Sequence, residues 1–372
     1  MQTISLCMIV KNEENNICNC LESIHDLVDE IIIVDTGSTD NTKDLCNKYT
    51  NKIYDYQWDY DFAKARNYSF SFAKSDYIMW LDADDILLNI DRLKLKKLKE
   101  SMKGDIDVYT LIYNYRHNNN GKCIYSFNRE RILRNTSQLY WTCIVHELLN
   151  FDSPNKIIET DIIITHTSNH DNYKTYIDFF ETKLSTGYKL NTREKFFYGG
   201  ELVVSGSFDK AIYILESFVS SNDYYNLYEL SRAHNYLGIC YKSQKNYSKA
   251  IHNYLCQISY DEPNMHTYFE IAECYKLLGQ YQKALFYYNS IVELHFTKEK
   301  FLNNSEFDIE NRINYINTLK INSLLSMCTI YYKLGDIKNS ISSNNKIFGL
   351  EKKNPSALYN EKFFNDNFSF KN

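Results

Sequence analysis

The stretch Ser75-Asp76-Tyr77-Ile78-Met79-Trp80-Leu81-Asp82-Ala83-Asp84-Asp85 runs from an apolar, strand-like segment into three carboxylates within four positions. Side chains alternate across a strand, so a regular strand through this stretch sets Asp82 and Asp84 on one side. Two like charges so placed cost free energy unless a cation or hydrogen-bond donors compensate. Carboxylate oxygens at a strand end suit a hard divalent metal, Mn²⁺ or Mg²⁺. The other reading is an acidic turn that ends a strand and caps the next helix, and the stretch alone admits both. An EF-hand does not fit, because its sixth and twelfth positions would be Leu87 and Leu93 rather than Gly and Glu.

Upstream of this stretch, strand-like and helix-like segments alternate. Residues 3–10, 31–35, 52–56 and 76–81 read as strands, and 14–26, 40–49 and 60–73 as helices. Ile31-Ile32-Ile33-Val34 is apolar on both faces, as parallel strands are when helices cover both sides of a sheet. Downstream, 106–115, 123–134 and 157–165 read as further strands added to that sheet, with Asn118-Asn119-Asn120-Gly121 as a turn. Residues 172–190 read as a helix leaving the domain.

From about 194 the chain reads as helical and repetitive. Cys240-Tyr241 recurs as Cys274-Tyr275, Ala250 as Ala284 and Tyr254 as Tyr288, each 34 residues on. That is the tetratricopeptide period. A third copy, at Tyr331-Tyr332-Lys333-Leu334-Gly335 with Ser340 at the small position, follows an expected insertion around Asn303-Asn304-Ser305. A weaker fourth copy precedes the first at Gly206, Phe208 and Ala211. The expected organisation is a catalytic α/β domain over 1–170, a linker helix over 171–193, repeats over 194–353 and a tail over 354–372.

Composition narrows the class. With 42 Lys+Arg against 47 Asp+Glu the chain is slightly acidic, which speaks against a nucleic-acid binder. The ten cysteines are scattered, and Cys18-x-Cys20 lacks zinc spacing, so they read as reduced thiols. The opening apolar run lacks a basic leader and a cleavage site, and no stretch has the length of a membrane span. The expectation is a cytoplasmic bacterial protein.

The N-terminal half resembles the family 2 glycosyltransferases. Ser5-Leu6-Cys7-Met8-Ile9-Val10-Lys11-Asn12-Glu13-Glu14 resembles their opening strand and turn. Val34-Asp35-Thr36-Gly37-Ser38-Thr39-Asp40 resembles their nucleotide-binding strand end. Ala63-x-Ala65-Arg66-Asn67 and Asp82-Ala83-Asp84 resemble their Arg-Asn helix and DxD motif. Trp141-x-x-x-x-His146-Glu147 and His166 extend the likeness to bacterial surface-sugar transferases. The pairing with tetratricopeptide units is similar to the peptide S-glycosyltransferases of glycocin clusters.

The resemblance implies a GT-A (Rossmann-like mixed sheet) domain followed by an all-α superhelix, and a UDP-sugar donor. It implies nucleotide-sugar contacts from Val10, Asn12, Glu13, Asp35, Arg66, Asp82 and Ala83, with Asp35 on uracil. Many relatives carry a second Asp where this chain has Thr36. It implies metal ligation by Asp84 and His166, with Asp85 capping the following segment. Glu147 is the implied base, with His146 beside it. The resulting expectation is a metal-dependent inverting transfer of a hexose to a peptide or protein acceptor, with a homodimer possible through the repeats. A surface glycan or glycolipid acceptor, or a non-catalytic scaffold, are the alternatives.

Overall fold

The computed structural model describes all residues except 119, 137, 152–155, 169–172, 222–225, 261–263, 295–305 and 369–372. The expected insertion around Asn303–Ser305 lies outside the described residues. The chain divides into two units, Met1–Glu194 and Lys195–Asn372.

In the first unit the apolar runs become strands of one mixed sheet. They are β1 (Ile4–Val10), β2 (Glu30–Asp35), β3 (Ile53–Asp55), β4 (Tyr77–Trp80), β5 (Asp85–Ile86), β6 (Val108–His117), β7 (Cys123–Arg134) and, beyond the hairpin β8 (Tyr140–Thr142) and β9 (Leu148–Asn150), β10 (Ile157–His166). The sheet order is β3-β2-β1-β4-β7-β6-β10-β5. β1 to β4 are mutually parallel, whereas β7 runs antiparallel to β4 and β6. The later strands therefore continue the first sheet directly. Alternation along β1 sends Leu6 and Met8 into one core and Cys7 into the other, so both faces are covered.

The helices are shorter than their apolar periodicity suggests. α1 spans Ile17–Glu22, where Ser23 Oγ bonds the carbonyl of Cys20 and three-residue bonds tighten the end. α2 spans Thr42–Cys46, because Asp40 takes the amide and hydroxyl of Thr42. α3 spans Phe62–Phe70 and is capped by Asp61 through the amide of Lys64. Tyr60, expected inside that helix, has φ +63° and cannot belong to it. α4 (Asn89–Ser101) is a further helix beyond those expected from the sequence. α5 spans Tyr173–Ser185.

The second unit is built from helix pairs. α6 (Thr192–Val204), which begins at the end of the first unit, is followed by α7 (Phe208–Val219), α8 (Leu227–Ser243), α9 (Tyr247–Tyr260), α10 (Met265–Leu277), α11 (Tyr281–Glu293), α12 (Glu306–Lys333) and α13 (Ile337–Leu350). Ala211, Ala250, Ala284 and Ser340 are all fully buried where paired helices cross. A methyl group added at Gly238 would lie 2.4 Å from the Tyr254 ring, and one at Gly199 would lie 2.5 Å from Leu215. Close helix approach therefore rests on small residues on both members of a pair. The expected tail instead holds α14 (Pro355–Asn367), opened by Asn354 capping the amide of Ala357 with Pro at the first turn. Its Ala357 joins the core of the repeats. Among the described residues no helix is long and apolar enough to cross a membrane.

Candidate active site

β4 stops at Trp80, so the acidic residues are not on a regular strand. Leu81 to Asp84 form a turn, closed by Asp85 donating its amide to the carbonyl of Asp82 (3.1 Å) while the Asp82 amide bonds Asp85 Oδ2 (3.1 Å). Thr167, just after β10, donates both amide and hydroxyl to the carbonyl of Asp84. The turn is thus fixed from both sides of the sheet's carboxyl edge.

Two constellations grow from this turn. In the first, Arg66 on α3 bridges two carboxylates, with Nη2 at 2.9 Å from Asp82 Oδ1 and Nε at 2.9 Å from Glu147 Oε1. Its guanidinium also lies over Trp80 and Trp141. Burial alone would raise the Asp82 carboxyl, but Arg66, then Arg131, hold it well below the ordinary range. Glu147 Oε2 accepts no hydrogen bond among the described residues. Glu147 is positioned by the 143–147 turn, in which Cys143 and His146 have φ of +72° and +54°. That turn is held by buried Glu194, which accepts from the amide of Ile144, the hydroxyl of Tyr188 and the amide of Asn191. His146 sits edge-on to Tyr176, 5.2 Å between centroids.

In the second constellation, Asp84, Asp85 and His166 place ligand atoms within 4.8 Å of one another. Asp85 does not cap the following segment as expected. It is fully buried, ion-paired to Arg131 (3.1 Å), and accepts from Tyr113 (2.9 Å), with His166 Nδ1 at 3.1 Å. Asp85 is thereby committed to protein partners. His166 turns Nδ1 toward the Tyr113 hydroxyl (3.0 Å), Asp85 Oδ1 and Asp84 Oδ1 (3.4 Å), so one ring nitrogen faces both carboxylates. Burial, with Asp82 and Asp85 nearby, pushes the Asp84 carboxyl up against the opposing pull of His166. Burial opposes, but Asp85 first and then Asp84 raise His166. Carboxylate and imidazole donors gathered in this way are of the kind a hard divalent cation takes, and with Asp85 committed elsewhere, Asp84 and His166 are the two that could hold one.

A cleft of about 510 Å³ opens over the turn. Val10, Glu13, Arg66, Asp82, Ala83 and Asp84 line it, facing an aromatic wall of Trp58, Tyr60, Phe62 and Phe179. Burial first, then Asp84 and Asp82, push the Glu13 carboxyl up. Asp35 and Asn12 are not on the cleft wall. Asp35 caps the turn after β2, accepting from the amides of Gly37 (φ +101°) and Ser38. Asn12 holds the same turn through the amide of Thr39. Thr36 lines the cleft instead. Arg131, Tyr113 and Glu194 belong to none of the sequence motifs. Their one signal was charge or hydroxyl inside apolar strand and helix patterns, and nothing local named their partners.

Residues 5–158 match the model of Glycosyl transferase family 2, and residues 266–295 match that of a tetratricopeptide repeat. The first unit therefore carries a family 2 glycosyltransferase domain, and the chain joins it to tetratricopeptide repeats. Among curated proteins, the SPbeta prophage-derived glycosyltransferase SunS of Bacillus subtilis is 25% identical over 60% of this chain and 55% of its own length. A TPR repeat-containing protein of Synechococcus elongatus is 42% identical over 24% of this chain and 22% of its own. An uncharacterized glycosyltransferase of Rickettsia felis is 32% identical over 23% and 30%. The chain thus spans about half or less of the curated relatives it matches.

Proposed function

We propose that the protein is a metal-dependent inverting glycosyltransferase that moves a hexose from a UDP-sugar to a peptide or protein acceptor. The observation that carries this reading is the pairing of two arrays on one turn: Asp84 with His166, and Asp82 with Arg66 and Glu147. The first is suited to an anionic leaving group and the second to a proton. A divalent cation at Asp84 and His166 would screen the departing diphosphate as a Lewis acid. The chain's own residues supply the remainder. The acceptor heteroatom attacks C1 of the sugar, its proton passes to Glu147 Oε2, and the C1–O bond to UDP breaks with the electron pair leaving on the diphosphate. Arg66 fixes Glu147 through the other oxygen, so the base stays aligned while Oε2 remains open. Trp58, Tyr60, Phe62 and Phe179 give the cleft an apolar side against which the reacting groups can pack. The repeats offer a peptide-sized surface, which favours a peptide or protein acceptor.

The test is a thermal shift followed by tryptophan fluorescence, since all three tryptophans (58, 80 and 141) lie in the first unit. UDP with Mn²⁺ at about 100 times the dissociation constant stabilises by about 2.7 kcal/mol, or several degrees. Asp84→Asn should lose most of that shift while melting no lower than the wild type without ligand. No shift in the wild-type protein would remove the basis of the proposal.

A further inference from the structure

Three guanidinium groups surround the single indole of Trp80. Arg131 lies 3.8 Å from the ring centroid, and Arg66 and Arg129 each 4.9 Å. Their partners are unequal. Arg66 holds both Asp82 and Glu147, and Arg131 holds Asp85. Arg129, on β7, has no hydrogen bond or ion pair among the described residues.

That imbalance is costly. A cation partly withdrawn from water loses hydration that an opposite charge in hydrogen-bond contact would restore. Stacking on an indole returns only part of the loss, and Arg131 already occupies the closer place over Trp80. Burial first, and then the like charge of Arg131, depress the Arg129 guanidinium, so its surroundings disfavour the charge it carries. Arg129 is half-buried rather than sealed, so an incoming group can reach it, whereas Arg131 is completely buried. Arg129 is also absent from the wall of the cleft beside Asp84. Its charged neighbours are Arg131 and Arg66, which repel it, and Glu147 and Asp82, which attract it without a hydrogen bond or ion pair.

We propose that Arg129 is an oxyanion-binding residue that takes a phosphate or carboxylate oxygen of a ligand on the Glu147 side of Trp80. A planar fork with five donors and no protein partner suits such a group. The oxyanion has two sources, the diphosphate of the donor or an anionic group on the acceptor. Assigning it to the acceptor rests on the catalytic reading above, but the binding itself does not.

The probe is inorganic phosphate, titrated against the thermal transition at constant ionic strength, with and without saturating UDP and Mn²⁺. Arg129→Met keeps an apolar chain against Trp80 and removes the fork. Loss of a charge-assisted contact should weaken phosphate binding about tenfold or more. A shift that persists beside UDP and Mn²⁺ places the group on the acceptor, and one that UDP abolishes places it on the donor; both support the site. No phosphate shift in the wild type, or an equal shift in Arg129→Met, overturns it. Should the methionine variant not fold, Arg129→Lys keeps the charge without the fork and must show a smaller shift, with an equal one overturning the proposal.

Discussion

Replacing Arg66 by Met tests the electrostatic core of the site without any substrate. The change keeps much of the side-chain volume but leaves Asp82 and Glu147 without their shared cation. Removing one partner of a buried ion pair costs about 3–5 kcal/mol. The Asp82 side chain is 34% exposed and that of Glu147 13%, so water takes up part of the Asp82 charge. Arg129 also remains within electrostatic reach of both carboxylates. The lower end, about 3 kcal/mol, is therefore expected at pH 7. In urea, with a slope of about 2 kcal/mol per molar, the midpoint of the first unit should fall by about 1.5 M. Tryptophan fluorescence reads that unit alone.

The pH dependence gives a second handle. In the wild type the folded Asp82 carboxyl is held low, mainly by Arg66 acting against burial. A depressed carboxylate contributes stability above its unfolded value of about 4 and loses it as pH falls through the folded value. The variant lacks that contribution. The gap between the two proteins should be full at pH 7 and shrink below about pH 4. A gap under about 1 kcal/mol at pH 7, or one unchanged at pH 3, refutes the reasoning.

Three further outcomes follow from particular contacts. Glu147→Gln should lower kcat about 10²- to 10⁴-fold, the worth of a positioned base, while leaving the UDP and Mn²⁺ thermal shift in place; a smaller loss moves the base elsewhere. Glu194→Ala strands the amides of Ile144 and Asn191 and the Tyr188 hydroxyl, and urea unfolding should show a loss of about 2–4 kcal/mol in the first unit. Gly238→Ala drives a methyl into the fully buried Tyr254 ring. It should destabilise the repeats by about 1–3 kcal/mol by circular dichroism with the tryptophan signal unmoved.

Much of the fold was legible because its cues are local. The apolar runs at Ile4–Val10, Glu30–Asp35 and Tyr77–Trp80 became adjacent parallel strands. The 34-residue spacing of Ala250 and Ala284 became a pair of helix crossings. The carboxylates at 82 and 84 were visible too, though not that they occupy a turn rather than a strand. Helix ends fall inside the periodic stretch where one side chain intervenes, as Asp40 does before α2. Short-range hydrogen bonds of that kind compete with periodicity and leave little trace in it.

What the sequence determined by itself was the run of long apolar strands, the repeat, and the presence of acidic, basic and imidazole groups of the right kinds. Apolar periodicity and turn chemistry act over a few residues, and they carry that information. Which charges meet was decided only by the tertiary structure. Arg66 reaches Glu147 across 81 positions, Asp85 is taken by Arg131 and His166, and Arg129 is left over. Partner choice among like residues depends on where sheet register and burial deliver each side chain, and no local pattern encodes that distance.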